Sequence, residues 1–522
     1  MFYISALSAK ELKWSGCLQC PFNAWLRDHR NKEPTNCRKS CSERFGNDTT
    51  DTKTCRKPSN LPPGPTPLPL IGNILQLNFK DFVKDFVKIG TKYGPVSMVY
   101  LGPRPVVILN GHDVVREAFL DNGEVYSDRG KLAFAEMLFN GYGLLFSNGE
   151  RWKQMRRFSL STLRNFGMGK RSLEERVQEE AKCLGEEFQK KKGELFDPTY
   201  LLSLAVSNVI CSIVFGDRFD YEDKDFLAML ALMKETFQIL TSPWGQIFNL
   251  APNFFKPFPG SHHKLIRNFN VFREYVMEKV KIHEETLDEN CPRDYIDCFI
   301  IKMKEEKDNP NSEFIYENLC VNLIQLFFAG TETTSTTLRY AILILLKHPE
   351  IQKQIQDEID TVIGKARNPS VGDRLMMPYL DAVIHEIQRF ADILPLGLPH
   401  ATSKDTSLRG YTIPKGTTVF PMLTTVLKDE KYFPDAQKFD PGHFLDGNGS
   451  VKKNDAFMPF SIGKRICVGE GLARMEIFLF LTYILQKFNL ECNIKAEDIN
   501  ISPIPFRLNF APRPYELSVN LR

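Results

Sequence analysis

No run of roughly 18 or more apolar residues opens this 522-residue chain, so neither a membrane-spanning helix nor a secretory leader is legible at its front. Met1 to Leu7 is apolar but too short for either. Net charge is nearly absent as well: a formal +3 gives no reason to expect a nucleic acid as partner of the whole chain. Tryptophan is scarce, 4 against 40 phenylalanines, which fits a large apolar interior or pocket. Repeats and low-complexity tracts are missing, and no βαβ alternation supports a nucleotide-binding sheet. Beyond residue 60 the cysteines lie singly in apolar segments, which argues against a disulfide framework and fits a reducing compartment.

The remaining five cysteines crowd the front, at Cys17, Cys20, Cys37, Cys41 and Cys55. The Cys17-x-x-Cys20 and Cys37-x-x-x-Cys41 spacings suit zinc, but no histidine pair accompanies them, and a solvated basic segment over residues 1–57 is the expectation. A proline-rich stretch, 58–69, then forms an extended hinge that cannot be helix. Residues 70–522 make one compact body.

Within that body, periodicity predicts an amphipathic helix over Phe79–Tyr93 and a hairpin of Val96–Leu101 with Pro105–Leu109 around Gly102-Pro103. The pattern from His112 to about Ile355 is mostly helical, with an exposed, charge-alternating helix over Leu173–Lys192. Ser242–Gly260 breaks it with four prolines and five aromatics and reads as an aromatic loop suited to a membrane surface or a pocket cap. Gly410–Phe420 reads as a strand pair turning at Pro414-Lys-Gly416. The fold class is therefore mainly α with small peripheral β-sheets (α+β).

Residues 457–471 carry the sharpest chemistry. Cys467 sits in a loop with Gly463, Gly469 and Gly471, just ahead of a long apolar helix pattern over Leu472–Phe488. Free N–H groups at a helix start favour a thiolate, and glycines admit a close, flat partner. Phe460 would wall the sulfur off from water, and Arg465 would offer a cation to a carboxylate. An apolar helix over Asn322–Leu346 is interrupted by the polar band Gly330-Thr-Glu-Thr-Thr-Ser, which suggests a distorted helix lining a cavity. Glu386 and Arg389 lie at i, i+3 on one helix face, and Trp152 and Arg156 lie one helical turn apart.

The pattern Phe460-x-x-Gly463-x-Arg465-x-Cys467-x-Gly469 resembles the haem-ligating loop of the cytochrome P-450 superfamily. Ala329-Gly330-Thr331-Glu332-Thr333 resembles its oxygen-binding segment. Trp152-Lys-Gln-Met-Arg-Arg-Phe158, Arg164-Asn-Phe-Gly-Met168 and Phe444-Leu-Asp446 resemble vertebrate microsomal family 2, which also shares His443 where much of the superfamily has Arg. The resemblance covers about residues 60–522 and departs at the front, where the usual apolar anchor is not seen.

It implies haem b between a central I-type helix and an L-type helix, with Cys467 as axial iron ligand. Arg129, Trp152, Arg156, His400 and Arg465 would contact the propionates, while Ala329 and Gly330 would leave room for O₂. Thr333 would hydrogen-bond the bound peroxide and Glu332 would pass protons. Glu386, Arg389 and His443 would lock the stretch before the cysteine loop. Phe134, Leu138, Phe139, Phe146, Gln325, Phe328, Leu394, Leu396, Leu398 and Phe506 would shape the substrate site, with Phe328 narrowing it.

The implied activity is a monooxygenase inserting one atom of O₂ into apolar organic substrates such as xenobiotics, fatty acids or steroids. NADPH and flavins would serve indirectly, through NADPH–cytochrome P-450 reductase, with cytochrome b5 as a second partner. Lys153, Arg157, Lys452, Lys453 and Lys464 would meet an acidic reductase face, and the protein would lie on the cytosolic face of the endoplasmic reticulum membrane. A haem-thiolate isomerase without O₂ is disfavoured by Glu332-Thr333. A haem sensor is disfavoured because no sequence remains for an effector domain.

Overall fold

The computed structural model describes residues 60–78, 81–166, 171–505 and 509–522. Expectations for residues 1–57, for the first part of the hinge, for Gly167-Met168 and for Phe506 lie outside the described residues. Helix α1 (Phe82–Tyr93) is capped by Asp81, whose carboxylate accepts from the Lys84 N–H, and ends at Gly94 with φ +100°. Val83, Phe86 and Gly90 form its buried stripe. The hairpin follows as β1 (Val96–Leu101) and β2 (Arg104–Asn110), with Val96 opposite Leu109.

Further helices and small sheets form the rest of the body. In chain order they begin with β3 (Asp128–Arg129), α2 (Ala133–Phe139), α3 (Gly149–Asn165), α4 (Arg171–Gln189), α5 (Thr199–Val214), α6 (Lys224–Thr241) and α7 (Ser261–Thr286). Next come α8 (Tyr295–Glu305), α9 (Tyr316–Lys347), α10 (Pro349–Val362), α11 (Pro378–Ala391), β4 (His400–Ala401), β5 (Thr406–Leu408), β6 (Tyr411–Ile413), β7 (Thr418–Met422) and α12 (Glu470–Lys487). α9 runs through the main core, packed along α5, α7, α11 and α12. Most of it is buried on every side, as a central helix must be.

Three expectations are corrected. α9 stays α-helical through its Gly/Thr band. Thr333 Oγ1 donates to the Ala329 carbonyl at 2.7 Å and Thr337 Oγ1 to that of Thr333 at 2.9 Å, so the hydroxyls satisfy themselves on the helix instead of opening it. The strands over 411–413 and 418–422 do not pair with each other. β6 pairs with β5 across Arg409-Gly410, both at positive φ (+49° and +83°), the backbone that two-residue hairpin turns require. The Pro414–Gly416 turn then sends β7 into a five-stranded sheet of order β1-β2-β7-β4-β3, parallel to β2.

Ser242–Gly260 is not a loop but two short helices, Pro243–Leu250 and Pro252–Phe255, each with proline in its first turn. Phe248 is buried there, whereas Phe254 and Phe258 are 64% and 49% exposed. Among the described residues no helix is long and apolar enough to cross a membrane.

Candidate functional site

The cysteine loop is built by backbone contacts. Cys467 N–H donates to the Phe460 carbonyl at 3.1 Å, and Gly463 begins a 3₁₀ turn at φ +77°. A Cβ on Gly463 would lie 2.0 Å from the Phe119 carbonyl oxygen, so only glycine fits. A Cβ on Gly469 would stand 3.9 Å from the Cys467 sulfur, leaving the thiol's flank clear. The Phe460 ring is covered by the Arg474 guanidinium at 5.1 Å.

Cys467 is open to solvent at the mouth of the loop yet surrounded by protein atoms. Burial pushes its thiol up, outweighing the Gly469 N–H, the Arg156 cation and the Glu470 N–H; the Glu470 carboxylate also pushes it up. Coordination to a metal cation would act the other way and favour the thiolate.

Beside the loop lies a cradle of cations. Arg465 donates Nε to the Ser127 carbonyl and Nη2 to that of Ser147, both at 2.7 Å, and stacks over the Trp152 indole at 3.9 Å. Its buried Nη1 has no partner among the described residues. Arg129 donates to the Leu145 and Leu398 carbonyls, and Arg156 to that of Ile466. None of the three pairs with a carboxylate among the described residues. Burial pushes Arg465 down to about 8 and Arg129 down to about 9, each lowered further by a neighbouring guanidinium. His400, bonded through Nδ1 to the Tyr126 carbonyl at 2.7 Å, is held neutral by burial and by Arg129 and Arg465. Two buried guanidiniums and a half-buried third, none ion-paired among the described residues, call for bound anions.

The polar band of α9 divides by face. Leu326, Phe328, Ala329, Gly330, Glu332 and Thr333 are partly exposed within an otherwise buried helix. Gly330 also serves packing: a Cβ there would come 2.4 Å from Ile210 Cδ1 on α5. Thr331 is fully buried and accepts from Ser207 Oγ at 3.2 Å.

Of the expected pocket wall, Phe139 and Phe146 stack at 5.6 Å, and Phe134 meets Phe146 edge-on at 6.0 Å. Phe328 stacks on Phe237 at 5.8 Å and meets Phe272 at 4.8 Å. Those two partners, from α6 and α7, were not anticipated, because a phenylalanine on an apolar helix face looks like any core residue. Gln325 does not line a pocket. It is 3% exposed, and its Oε1 accepts from the Leu144 and Leu145 N–H groups, both at 2.8 Å, as a strut for the loop carrying Phe146. Leu396 packs beneath the sheet with Phe86 and Met422, and Leu138 is buried in the main core. Leu394 is 39% exposed, and Leu398 contributes its carbonyl to Arg129.

The Glu386–Arg389 pair is fully buried. Arg389 donates Nε and Nη2 to the Glu386 carboxylate, both at 2.7 Å, and its other N–H groups to the carbonyls of Leu427, Ala436 and Lys438. His443 completes it, Nδ1 to Glu386 at 3.1 Å and Nε2 to the Pro434 carbonyl at 2.6 Å.

A glycine-bordered thiol loop beside a cradle asking for carboxylates suits a metal-bearing dicarboxylate such as haem. The cytochrome P-450 family model matches residues 62–519. Human cytochrome P-450 2C8 is 55% identical over 465 residues, 89% of this chain and 95% of that protein. Rabbit (Oryctolagus cuniculus) cytochrome P-450 2B4 is 52% identical over 457 residues, 88% and 93% respectively. The chain belongs to the cytochrome P-450 family, among members like those of vertebrate microsomal family 2. Its activity is that of the family: a monooxygenase that uses haem b and electrons from NADPH, delivered by a reductase, to place one atom of O₂ into small apolar substrates.

Proposed function

We propose that Cys467 is the axial ligand of the haem iron and that Arg129, Trp152, Arg156, His400 and Arg465 hold the two propionates. The observation that carries this is the orphaned Arg465 Nη1 in a cradle of three guanidiniums without a carboxylate. When bound, haem supplies the iron on which O₂ is reduced and cleaved. The chain's own residues supply protons and exclude water. Thr333 Oγ1 donates to the Ala329 carbonyl; turned away from it, the same hydrogen is available to the oxygen being reduced. Glu332, partly exposed one residue earlier, resupplies that proton. Phe134, Phe139, Phe146 and Phe328, backed by Phe237 and Phe272, keep the reacting face apolar, which suits xenobiotics, fatty acids or steroids.

Phe254 and Phe258 face outward and fit a membrane surface, consistent with the endoplasmic reticulum. Lys153, Arg157 and Lys464 are exposed and suit a reductase or cytochrome b5, although Lys153 and Lys464 also pair with Glu150 and Glu124. The test is the difference spectrum of the dithionite-reduced protein with carbon monoxide. A band at about 450 nm, abolished in Cys467→Ser, is expected. A folded protein showing only a band at about 420 nm would refute thiolate ligation.

A further inference from the structure

One element of the site was not signalled by any motif. Residues Glu117–Asp121 form a single π-helical turn, an irregularity that concentrates at functional sites. It carries Phe119, which is 2% exposed. Its ring lies on the His400 imidazole with centroids 3.9 Å apart and planes 19° apart, the closest ring stack among the described residues. The backbone of the same residue meets the cysteine loop, since its carbonyl occupies the space where Gly463 lacks a Cβ. Just after the turn, Glu124 ties the chain to that loop a second time, its carboxylate accepting from Lys464 Nζ at 2.7 Å.

Among the described residues His400 makes one side-chain hydrogen bond, Nδ1 to the Tyr126 carbonyl, which leaves its Nε2 edge free to shift by small rotations about Cβ–Cγ. The stack removes that freedom. It also covers one ring face with hydrocarbon, adding to the burial that holds His400 neutral. The geometry points to Phe119 as a positioning residue: on the reading that the cradle holds the haem propionates, its ring aligns His400 toward them while its carbonyl seats the loop that carries Cys467. Phe119 thus joins the bonds of Arg465 to the Ser127 and Ser147 carbonyls in placing the sheet side of the cradle and the sulfur side relative to each other.

The test is haem transfer from the holoenzyme to excess apomyoglobin, measured for wild type, Phe119→Leu, His400→Gln and the double variant. Leucine keeps the backbone carbonyl against Gly463 and removes only the stack. Phe119→Leu is expected to speed haem loss roughly three- to ten-fold in the wild-type background, the worth of one aromatic stack. In the His400→Gln background the added effect should be less than about twofold, because the ring it aligns is gone. The same acceleration in both backgrounds would show Phe119 to be ordinary packing and overturn the inference, as would no acceleration in either. Should the leucine variant not fold, Phe119→Met serves with the same two criteria. A wild type without the band at about 450 nm sinks the cradle reading and this one together.

Discussion

Two buried arginines, Arg389 and Arg465, have the same side chain and opposite surroundings. Every N–H of Arg389 is used, by the Glu386 carboxylate and by the carbonyls of Leu427, Ala436 and Lys438. Arg465 faces two other arginines, feels Asp128 without forming an ion pair with it, and leaves Nη1 without a partner among the described residues. The first cluster is electrically complete and serves the fold. The second is unfinished, and what would finish it is a ligand. Neutral pairing marks structure, and uncompensated buried charge marks a binding site.

The sharpest way to break this contrast is Glu386→Ala, which strands Arg389 and His443 in the core. It should cost about 3–5 kcal/mol and abolish folded holoprotein at ordinary temperature, read by thermal unfolding. Arg465→Leu should act in the other currency. Removing one charge-assisted donor is expected to weaken haem retention roughly ten- to hundred-fold, while the haem-free chain unfolds no more easily than wild type. If it is destabilised as Glu386→Ala is, the two clusters are of one kind.

Gly330 tests where the polar band of α9 belongs. Gly330→Ala should cost about 1–3 kcal/mol by crowding Ile210, and adding Ile210→Val should recover part of it. No recovery would return Gly330 to the oxygen side. The smallest effect concerns His443. Burial works against its charge, yet the bonds to Glu386 and to the Pro434 carbonyl outweigh it and raise its pKa in the folded state. Its stabilising share is complete below the unfolded value of about 6.5 and is lost as pH rises through the raised folded value. His443→Asn should flatten that decline, and whatever slope remains would report His283, raised in the same way by Asp294.

The cysteine loop could be read from sequence because five positions at fixed spacing leave few alternatives, and Glu386 with Arg389 because helix geometry puts them on one face. Helix phase defeated the rest. Most of α9 is buried all round, so no polar face reveals that Gln325 turns to a loop and Gly330 to α5. Leu396 misled because an apolar residue suits sheet and pocket alike. The pairing of β7 with β2 was invisible because local alternation cannot report a partner hundreds of residues away. Phe119 had no signal: a π turn leaves no periodicity, and its partner is distant in the chain.

That remoteness sets a schedule for biosynthesis. Arg129 and His400 are register partners on neighbouring strands, and Arg129 bonds a carbonyl 269 positions further along. At about 5–20 residues per second, Arg129 leaves the ribosome roughly fifteen to fifty seconds before the strand that completes it. Cys467 follows later still. On the proposed ligation, a nascent chain has no means of keeping haem until both the His400 strand and the Cys467 loop have emerged, so capture of the group waits for those segments.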